Sequence, residues 1–458
     1  MTKQAIDRNF FKYVFSSMVT MLLQSLYSII DGLFVSNLVG DFGLSAINVV
    51  WPMLAVIIAT GTGIGCGGSV IMSTMQGARK PKESNRARAN VIMLLFIFSI
   101  IMTVLFLLLL SPFLTLMGAK GNIYTYATIY GKIMIGGSFI QIFSTGLTPL
   151  LRNDNQAVTA MNIMVSGLVC NLCLNYVFMN VFSWGIQGSA AASLLSQALT
   201  VIACFVVLLG NKKNPIRLNQ FVPDKNFVNK IIRTGISPFG ISLTPSLIIM
   251  YHNMQCIRYG GAIGIGVFSL ITSTVGSYRI ILIGIAEGIQ PLASFASGAN
   301  DYQAIRKIRN KAIFTAISAS VILFLFTIIT AKYYAKMYGF TGDMAKASYG
   351  AILLSATQLI FTGLVRVSNS FFYAVGKEKY SLFMIYFDPL VMMPVLIIIL
   401  PLLFGLNGIW ITMTISQAIL NVIAIFMYWK HEKELRQLET AQETATNSLQ
   451  LVKLISNN

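Results

Sequence analysis

The chain has 458 residues, 55% of them hydrophobic and 10% charged, with a mean hydropathy of +0.72 and a net charge of +18. Average globular chains carry about a quarter charged residues, so this composition excludes a soluble globular protein, a disordered chain and a nucleic-acid module. Five cysteines lie in or beside apolar segments. The CxxC at Cys170 and Cys173 has neither the second pair nor the clustered histidines that a structural zinc site needs.

A helix that crosses a bilayer uses about 20 apolar residues. Such stretches run over residues 13–35, 46–74, 90–110, 126–148, 159–182, 188–209, 234–257, 264–296, 312–331, 349–373, 381–403 and 408–429, twelve in all. Unbroken runs such as Val91 to Leu110 lack the alternation of a barrel strand. Only helices then satisfy every backbone group in hydrocarbon. The fold class expected is an all-α polytopic membrane protein.

Basic residues orient the spans. Of the 33 Lys and Arg residues, 25 fall on the side that holds the N-terminus, Arg152 among them. Lys120, Arg258, Lys332, Lys336 and Lys346 fall on the other side, and Lys132, Arg279 and Arg366 inside spans. Both termini are therefore expected in the cytoplasm, in a plasma (inner) membrane. The high charge reads as a topology signal. The first span is full length and has no small-residue cleavage site, so it is expected to stay as helix one rather than be removed as a signal peptide. Residues 431–458 form a polar tail with charges three and four apart, which reads as a solvated amphipathic helix or as a regulatory or lipid-surface element.

The chain repeats itself once. A shift of 221 residues sets Gly40 on Gly261, Gly43 on Gly264, Gly63 on Gly284, Gly67 on Gly288 and Gly77-Ala78 on Gly298-Ala299. A shift of 220 sets Gly185 on Gly405, Gly188 on Gly408 and Ser196-Gln197 on Ser416-Gln417. Six spans per copy bring both copies in from the same side, so the lobes should be related by an axis along the membrane normal. The division expected is an N-terminal lobe over 1–210, a basic linker over 211–230 with Pro215 and Pro223, a C-terminal lobe over 231–430 and the tail. The cleft between the lobes is the natural binding site.

Acids inside spans are few. Asp31 stands in QSLYSIIDGLF of span one, where an ionisable group costs about 2.5–3.5 kcal/mol on insertion scales. Helical spacing places Gln24, Tyr27 and Asp31 near one face. The group reads as a cation or proton site, or as a carboxylate held by a structural hydrogen bond. Asn171 and Asn175 share a face of span five, where amide oxygens serve as hard-cation ligands or as interhelical glue. Glu287 lies mid-span in GIAEGIQP and reads as better embedded than Asp388, which precedes Pro389. Glu287 is either functional or structurally neutralised by Arg279 and Arg366. His252 takes the place of Asp31 in the repeat, with Asn253 beside it. Candidates for the substrate cavity are thus Gln24, Tyr27, His252, Asn253, Glu287 and Arg366.

GTGIGCGGS, Gly61 to Ser69, contains a GxGxxG, but within an apolar span and without a preceding strand, so the dinucleotide reading fails. The pairs Gly61/Gly65 and Gly63/Gly67 instead allow close helix approach. The 22 methionines suit a deformable binding surface or ordinary packing.

LYSIIDGLFVSNLVG, GIGCGGSVIMSTMQGARK, IRYGGAIGIGVFS, GIAEGIQPLASFASGAND and NLCLNYVFMNVFSWGIQGSAAASLLSQ together resemble the multidrug and toxic compound extrusion (MATE) family, over nearly the whole chain to about residue 430. That family consists of twelve-helix exporters with two six-helix lobes, which expel amphipathic organic cations in exchange for Na⁺ or H⁺. By resemblance Asp31 matches the coupling acid of helix one, and Asn171 a polar residue of the amino-terminal cation site. Two departures stand out: Ser16 replaces a proline common early in helix one, and Asn175 replaces a helix-five aspartate. A Na⁺ site built from Asp31, Asn171, Asn175 and hydroxyl or carbonyl oxygens is one outcome. A proton on Asp31 alone is the other, since burial disfavours a bare charge.

The function expected is a cation-coupled antiporter for organic cations, with no cofactor beyond H⁺ or Na⁺, no catalytic residue, no metal beyond that Na⁺, and a monomer in the lipid bilayer. A flippase for a lipid-linked precursor is the alternative within transport. An intramembrane enzyme would need paired aspartates, a His cluster or a Ser/His arrangement, which two histidines and no paired span acids do not supply.

Overall fold

A computed structural model describes residues 3–210, 220–338 and 340–456, and the side chains of 3–7, Ser28, Asp41, Asp343, Glu443 and 445–456 lie outside that description. Residues 211–219 of the expected linker, Pro215 included, also lie outside it. Among the described residues the secondary structure is helical, with no strand. The helices are α1 (Lys3–Leu38), α2 (Asp41–Gly77), α3 (Pro81–Leu116), α4 (Gly121–Gly136), α5 (Ser138–Asn153), α6 (Ala157–Asn175), α7 (Gly185–Leu209), α8 (Lys225–Gly298), α9 (Tyr302–Met337), α10 (Gly342–Ala356), α11 (Gln358–Ala374), α12 (Glu378–Phe387), α13 (Met393–Phe404) and α14 (Leu406–Ser456). Short π-helical turns follow α6 (Tyr176–Val181) and α12 (Asp388–Met392).

Twelve crossings emerge from these elements. Helices α4 and α5 form one span bent by 54°, α10 runs into α11 and α12 into α13, each as a single crossing, and α8 breaks at Gly261 into two arms. Gly261 breaks the rod because its φ of 53° and ψ of −138° lie where an L side chain is strained. Its repeat partner Gly40 has φ 84° between α1 and α2. The same echo recurs at Arg79 and Asn300, Gly121 and Gly342, Asn155 and Gly376, and Gly185 and Gly405, all with positive φ. The repeat read from glycines is thus written into the turns.

Two apolar cores form, one from α2 to α7 and one from the second arm of α8 to α14. Each bundle lends the start of its first helix to the other. Phe10, Tyr13 and Val14 of α1 join the C-terminal core, and Phe227 and Ile231 of α8 join the N-terminal one. Glycines make this exchange fit. A Cβ on Gly288 would stand 2.5 Å from the Val14 Cα, and one on Gly284 2.5 Å from the Met18 Cα. The two-fold equivalents are Gly67 against the Gly235 Cα at 2.7 Å and Gly63 against the Phe239 Cβ at 3.0 Å. Gly77 and Gly298 close the set, with Cβ positions 2.0 Å from the Phe295 carbonyl oxygen and 1.9 Å from the Thr74 carbonyl oxygen. Gly61 and Gly65 serve the opposite face of α2, against Thr145 and Gly146 of α5. The spacing of four within one helix therefore builds two different close interfaces.

At the basic end the start of α8 is tied to α3. Asp224 pairs with Arg86 at 3.2 Å, and its N–H donates to the Asn90 Oδ1 at 3.1 Å. The tail continues α14 as a helix that is held rather than merely solvated. Glu432 meets Arg306 and Arg309 at 3.1 and 2.9 Å, Glu439 meets Arg306 at 2.6 Å, and Glu434 meets Lys377 at 2.7 Å. His431 and Leu435 are buried beneath it, the imidazole against Phe371 and Phe372.

These contacts predict a contrast between two glycines. Gly288→Ala should destabilise the protein by about 1–3 kcal/mol through overpacking. Gly276→Ala, on a helix with nothing within 4 Å of the added carbon, should leave stability unchanged or slightly raised. Thermal unfolding in detergent distinguishes them, and equal midpoints for the two variants would contradict the close-approach account.

Candidate functional site

Among the described residues, three polar centres hold most of the site residues expected from the sequence. The first is built on Asp31, about two turns before α1 ends. Asn175 donates from Nδ2 to the Asp31 Oδ1 at 2.6 Å, and Asn171 donates to the same oxygen at 3.3 Å. Ser193 of α7 donates to the Oδ2 at 2.6 Å. Tyr27 lies one turn earlier and donates to the Ser193 carbonyl oxygen at 2.9 Å, with its hydroxyl 2.7 Å from the Ser196 Oγ. Asn171 and Asn175 are fully buried, and Asp31 is partly buried. Its hydrogen-bond partners are all neutral. The Asn175 Oδ1 is buried without a donor.

The local fold explains this convergence. Asn171 and Asn175 sit one turn apart at the end of α6, just before the chain widens into the π turn, a geometry often found at functional sites. Small residues Gly188 to Ala192 at the start of α7 let that helix come close, bringing Ser193 and Ser196 to α1. Gln24 does not join them. It lies one turn before Tyr27 and is exposed, while the Tyr27 hydroxyl reaches α7.

The second centre joins the bundles at the basic end. Glu287 is paired with Arg152, not with Arg279 or Arg366 as the sequence suggested. Arg152 was placed in a loop by its position between spans. It is instead in the last turn of α5, 4% exposed, where a cation also meets the helix C-terminus favourably. Beside it Asn153 and Gln290 exchange hydrogen bonds, from Asn153 Nδ2 to Gln290 Oε1 at 2.9 Å and from Gln290 Nε2 to Asn153 Oδ1 at 3.2 Å. Ser73 donates to the Pro291 carbonyl oxygen at 3.1 Å. Buried ion pair, amide pair and glycine contacts thus form one latch between bundles. Glu287 belongs to the latch and not to the Asp31 centre.

The third centre lies in the C-terminal bundle. Asp388 opens the second π turn and is 7% exposed, as deeply set as Glu287, so the expected ranking of the two fails. It accepts hydrogen bonds from Ser416 and, at 3.2 Å, from Gln417 Nε2. The Ser-Gln pair of the repeat therefore serves a polar centre in the C-terminal bundle, while in the N-terminal bundle Ser196 and Gln197 attend Tyr27. Arg366 lines one small cavity together with Asp388. His252 is buried, holds the Ile248 carbonyl oxygen at 2.8 Å through Nδ1, and stacks on Phe268 at 5.2 Å. Asn253 is exposed on the other side of that helix. No site role was read for Ser193, Ser196 or Arg152 from the sequence, since serines are common in spans and the partner of Arg152 lies 135 residues away.

The MatE family model matches residues 16–177 and 240–398, most of both bundles. The chain belongs to the MatE family. Among curated relatives, the multidrug export protein MepA of Staphylococcus saprophyticus is 22% identical over 438 residues, covering 93% of this chain and 94% of that one. MepA of Staphylococcus aureus is 22% identical over 428 residues, covering 90% and 91%. Among solved structures, a multidrug resistance MATE family transporter in an outward-facing conformation matches with a TM-score of 0.88 at 24% identity, over 95% of this chain and 97% of that one. A MOP superfamily transporter from Pyrococcus furiosus matches with a TM-score of 0.87 at the same identity and coverage. These structures share the MATE fold. The protein is thus a multi-pass MATE transporter, not an enzyme.

The latch yields a prediction for this MATE protein. Arg152→Met or Glu287→Met alone should cost about 3–5 kcal/mol, because each leaves one buried charge uncompensated. The double variant should recover most of the loss. A double-mutant cycle on thermal unfolding measures this, and additive losses would show that the two side chains do not act as a pair.

Proposed function

We propose that this MATE transporter is a cation-coupled antiporter that exports amphipathic organic cations from the cytoplasm, with Asp31 as the coupling residue. The observation that carries the reading is the Asp31 centre: a carboxylate within a span, met only by neutral donors, beside a buried amide oxygen that lacks a donor. A fixed basic partner would have made the carboxylate structural. Its place is left to a mobile cation.

The chemistry fits either ion. A proton on the carboxyl turns Asp31 into a donor, and the Asn175 Oδ1 supplies an acceptor once the amide rotates. For Na⁺ the carboxylate, the amide oxygens of Asn171 and Asn175 and the Ser193 hydroxyl are all hard oxygen ligands. Amide rotation again presents oxygen in place of N–H. In both cases loading replaces hydrogen bonds that now join α1 to α6 and α7, so the ion binds the two arrangements of α1 unequally. Unequal binding is what coupling requires.

The two bundles, related by an axis along the membrane normal, support alternating access by rocking one bundle against the other. The latch and the glycine contacts close the basic end, which the distribution of Lys and Arg assigns to the cytoplasm together with both termini. Opening the cleft to the cytoplasm requires Arg152 and Glu287 to part. The protein is proposed to work as a monomer in the plasma membrane. That relatives carry the name multidrug export protein supports drug-like cargo, and no observation above favours a lipid-linked precursor.

In everted vesicles, with Na⁺ and pH gradients imposed separately, the parent should move a lipophilic fluorescent cation under at least one gradient. Asp31→Asn should bring that flux to background while protein level and folding are kept. Flux equal to the parent under the same gradient would refute the coupling role.

A further inference from the structure

The tail sorts its charges by side. Between Val422 and Gln442 the acids are Glu432, Glu434 and Glu439, and all three turn onto the bundle, where they meet Arg306, Arg309 and Lys377. His431 and Leu435 are buried on that same side. The other side of the helix carries Val422, Phe426, Trp429, Lys433 and Arg436, all exposed. Their spacing of four, three, four and three keeps them in one stripe. Arg436 reaches back to Glu432 at 3.2 Å yet keeps 75% of its side chain exposed. Over this length the face of α14 that looks away from the protein holds no acid, and it is apolar at one end and positive at the other.

The order along the stripe matches the order of layers in a bilayer. Val422 and Phe426 belong to the apolar stretch of α14, Trp429 ends that stretch, and the bases follow. At 1.5 Å per residue the stripe is about 20 Å long, enough to run from hydrocarbon, past the interface where tryptophan settles, to the headgroups. Two ammonium groups at that level stand on aromatic rings. The Lys433 Nζ lies 3.8 Å from the centre of the Trp429 ring, and the Lys430 Nζ 6.0 Å from that of Tyr380 on α12. A ring compensates an ammonium only in part, so both remain donors to an anion. The two-fold equivalent stripe lacks this end. A shift of 220 sets Val422, Phe426 and Trp429 on Ile202, Val206 and Leu209 of α7, which are also exposed, but α7 stops there with Gly210 as its cap. The lipid-facing part is common to both copies, and the indole is present once.

We propose that Trp429, Lys430, Lys433 and Arg436 form a binding site for an anionic phospholipid on the outer face of the tail. The lipid phosphate accepts hydrogen bonds from the ammonium and guanidinium groups, which carry donors and no acceptor. The indole packs at the level of the glycerol, and an acyl chain lies along Phe426 and Val422. A soluble phosphate compound has nothing to place on that apolar half of the stripe. Bound lipid holds the tail from outside, as the ion pairs of Glu432 and Glu434 hold it from the side of the bundle. The site does not depend on what the protein transports.

Thermal unfolding of the full chain in a neutral detergent tests the site, with phosphatidylglycerol or phosphatidylcholine of the same acyl chains added in increasing amounts. Phosphatidylglycerol should raise the midpoint of the parent saturably and by more than phosphatidylcholine does. The triple variant Lys430→Gln, Lys433→Gln, Arg436→Gln should lose that difference several-fold. A second triple, Lys225→Gln, Lys230→Gln, Arg233→Gln, removes the same charge from exposed positions at the start of α8 and should keep it. The parent's choice between lipids needs no variant to fold, and Lys433→Gln alone, at an exposed position, locates the effect if the tail triple is unstable. Equal stabilisation of the parent by both lipids overturns the proposal. So does an equal loss in the two triples, which would make the response one of total charge, and so does an equal rise with sodium phosphate in place of lipid.

Discussion

A carboxylate within a membrane span needs compensation, and at Asp31 this chain supplies hydrogen-bond donors alone. Two amides and a hydroxyl reach it from α6 and α7, none of them charged. Hydrogen bonds to a charged group contribute more than neutral ones, yet they spread the charge without cancelling it. In the function proposed above, this is the charge that a cation arriving from water meets. Arg152 and Glu287 show the other solution, a fixed pair of opposite charges, and that pair serves as a joint between bundles.

The internal repeat explains why one joint suffices. Because each bundle lends the start of its first helix to the other, the same glycine contacts occur twice about a two-fold axis. Backbone packed on backbone has little room to deform. Motion between bundles then takes the form of parting or meeting, not gradual bending at the contact. The latch adds the asymmetric element: Glu287 and Arg152 fall on Cys66 and Tyr373 in the other copy, so the polar pair is made once.

Much of this was legible in the residues. Twelve spans, two bundles and the repeat follow from apolar length and glycine spacing, and each reappears in the helices and in the positive-φ turns. Asn171 and Asn175 were recognisable as a pair because one helical turn separates them, and they do meet Asp31. Gln24 is exposed and makes no hydrogen bond to the Asp31 group, because spacing along one helix says which residues share a face, not how wide the buried part of that face is. Arg152 was hidden for the opposite reason. Its partner is distant in sequence, and basic residues between spans are read as topology signals. Arg279 and Arg366 were assigned to Glu287 on span membership alone, whereas Glu287 pairs with Arg152 and Arg366 lines a cavity with Asp388. The tail looked solvated because its acids alternate with bases, but those acids find Arg306, Arg309 and Lys377 on the bundle.

In the proposed coupling, the charge state of Asp31 sets the distance between the bundles at the end away from the latch. Spin labels on Lys120→Cys and Thr341→Cys, two-fold equivalents in the α3–α4 and α9–α10 connections, measure that distance by double electron–electron resonance in a cysteine-free background. The distribution should shift in the otherwise unaltered protein when the coupling cation, H⁺ or Na⁺, is raised. With Asp31→Asn it should stay at the cation-loaded position whatever the cation concentration. A response to cation that persists undiminished in Asp31→Asn would contradict the account.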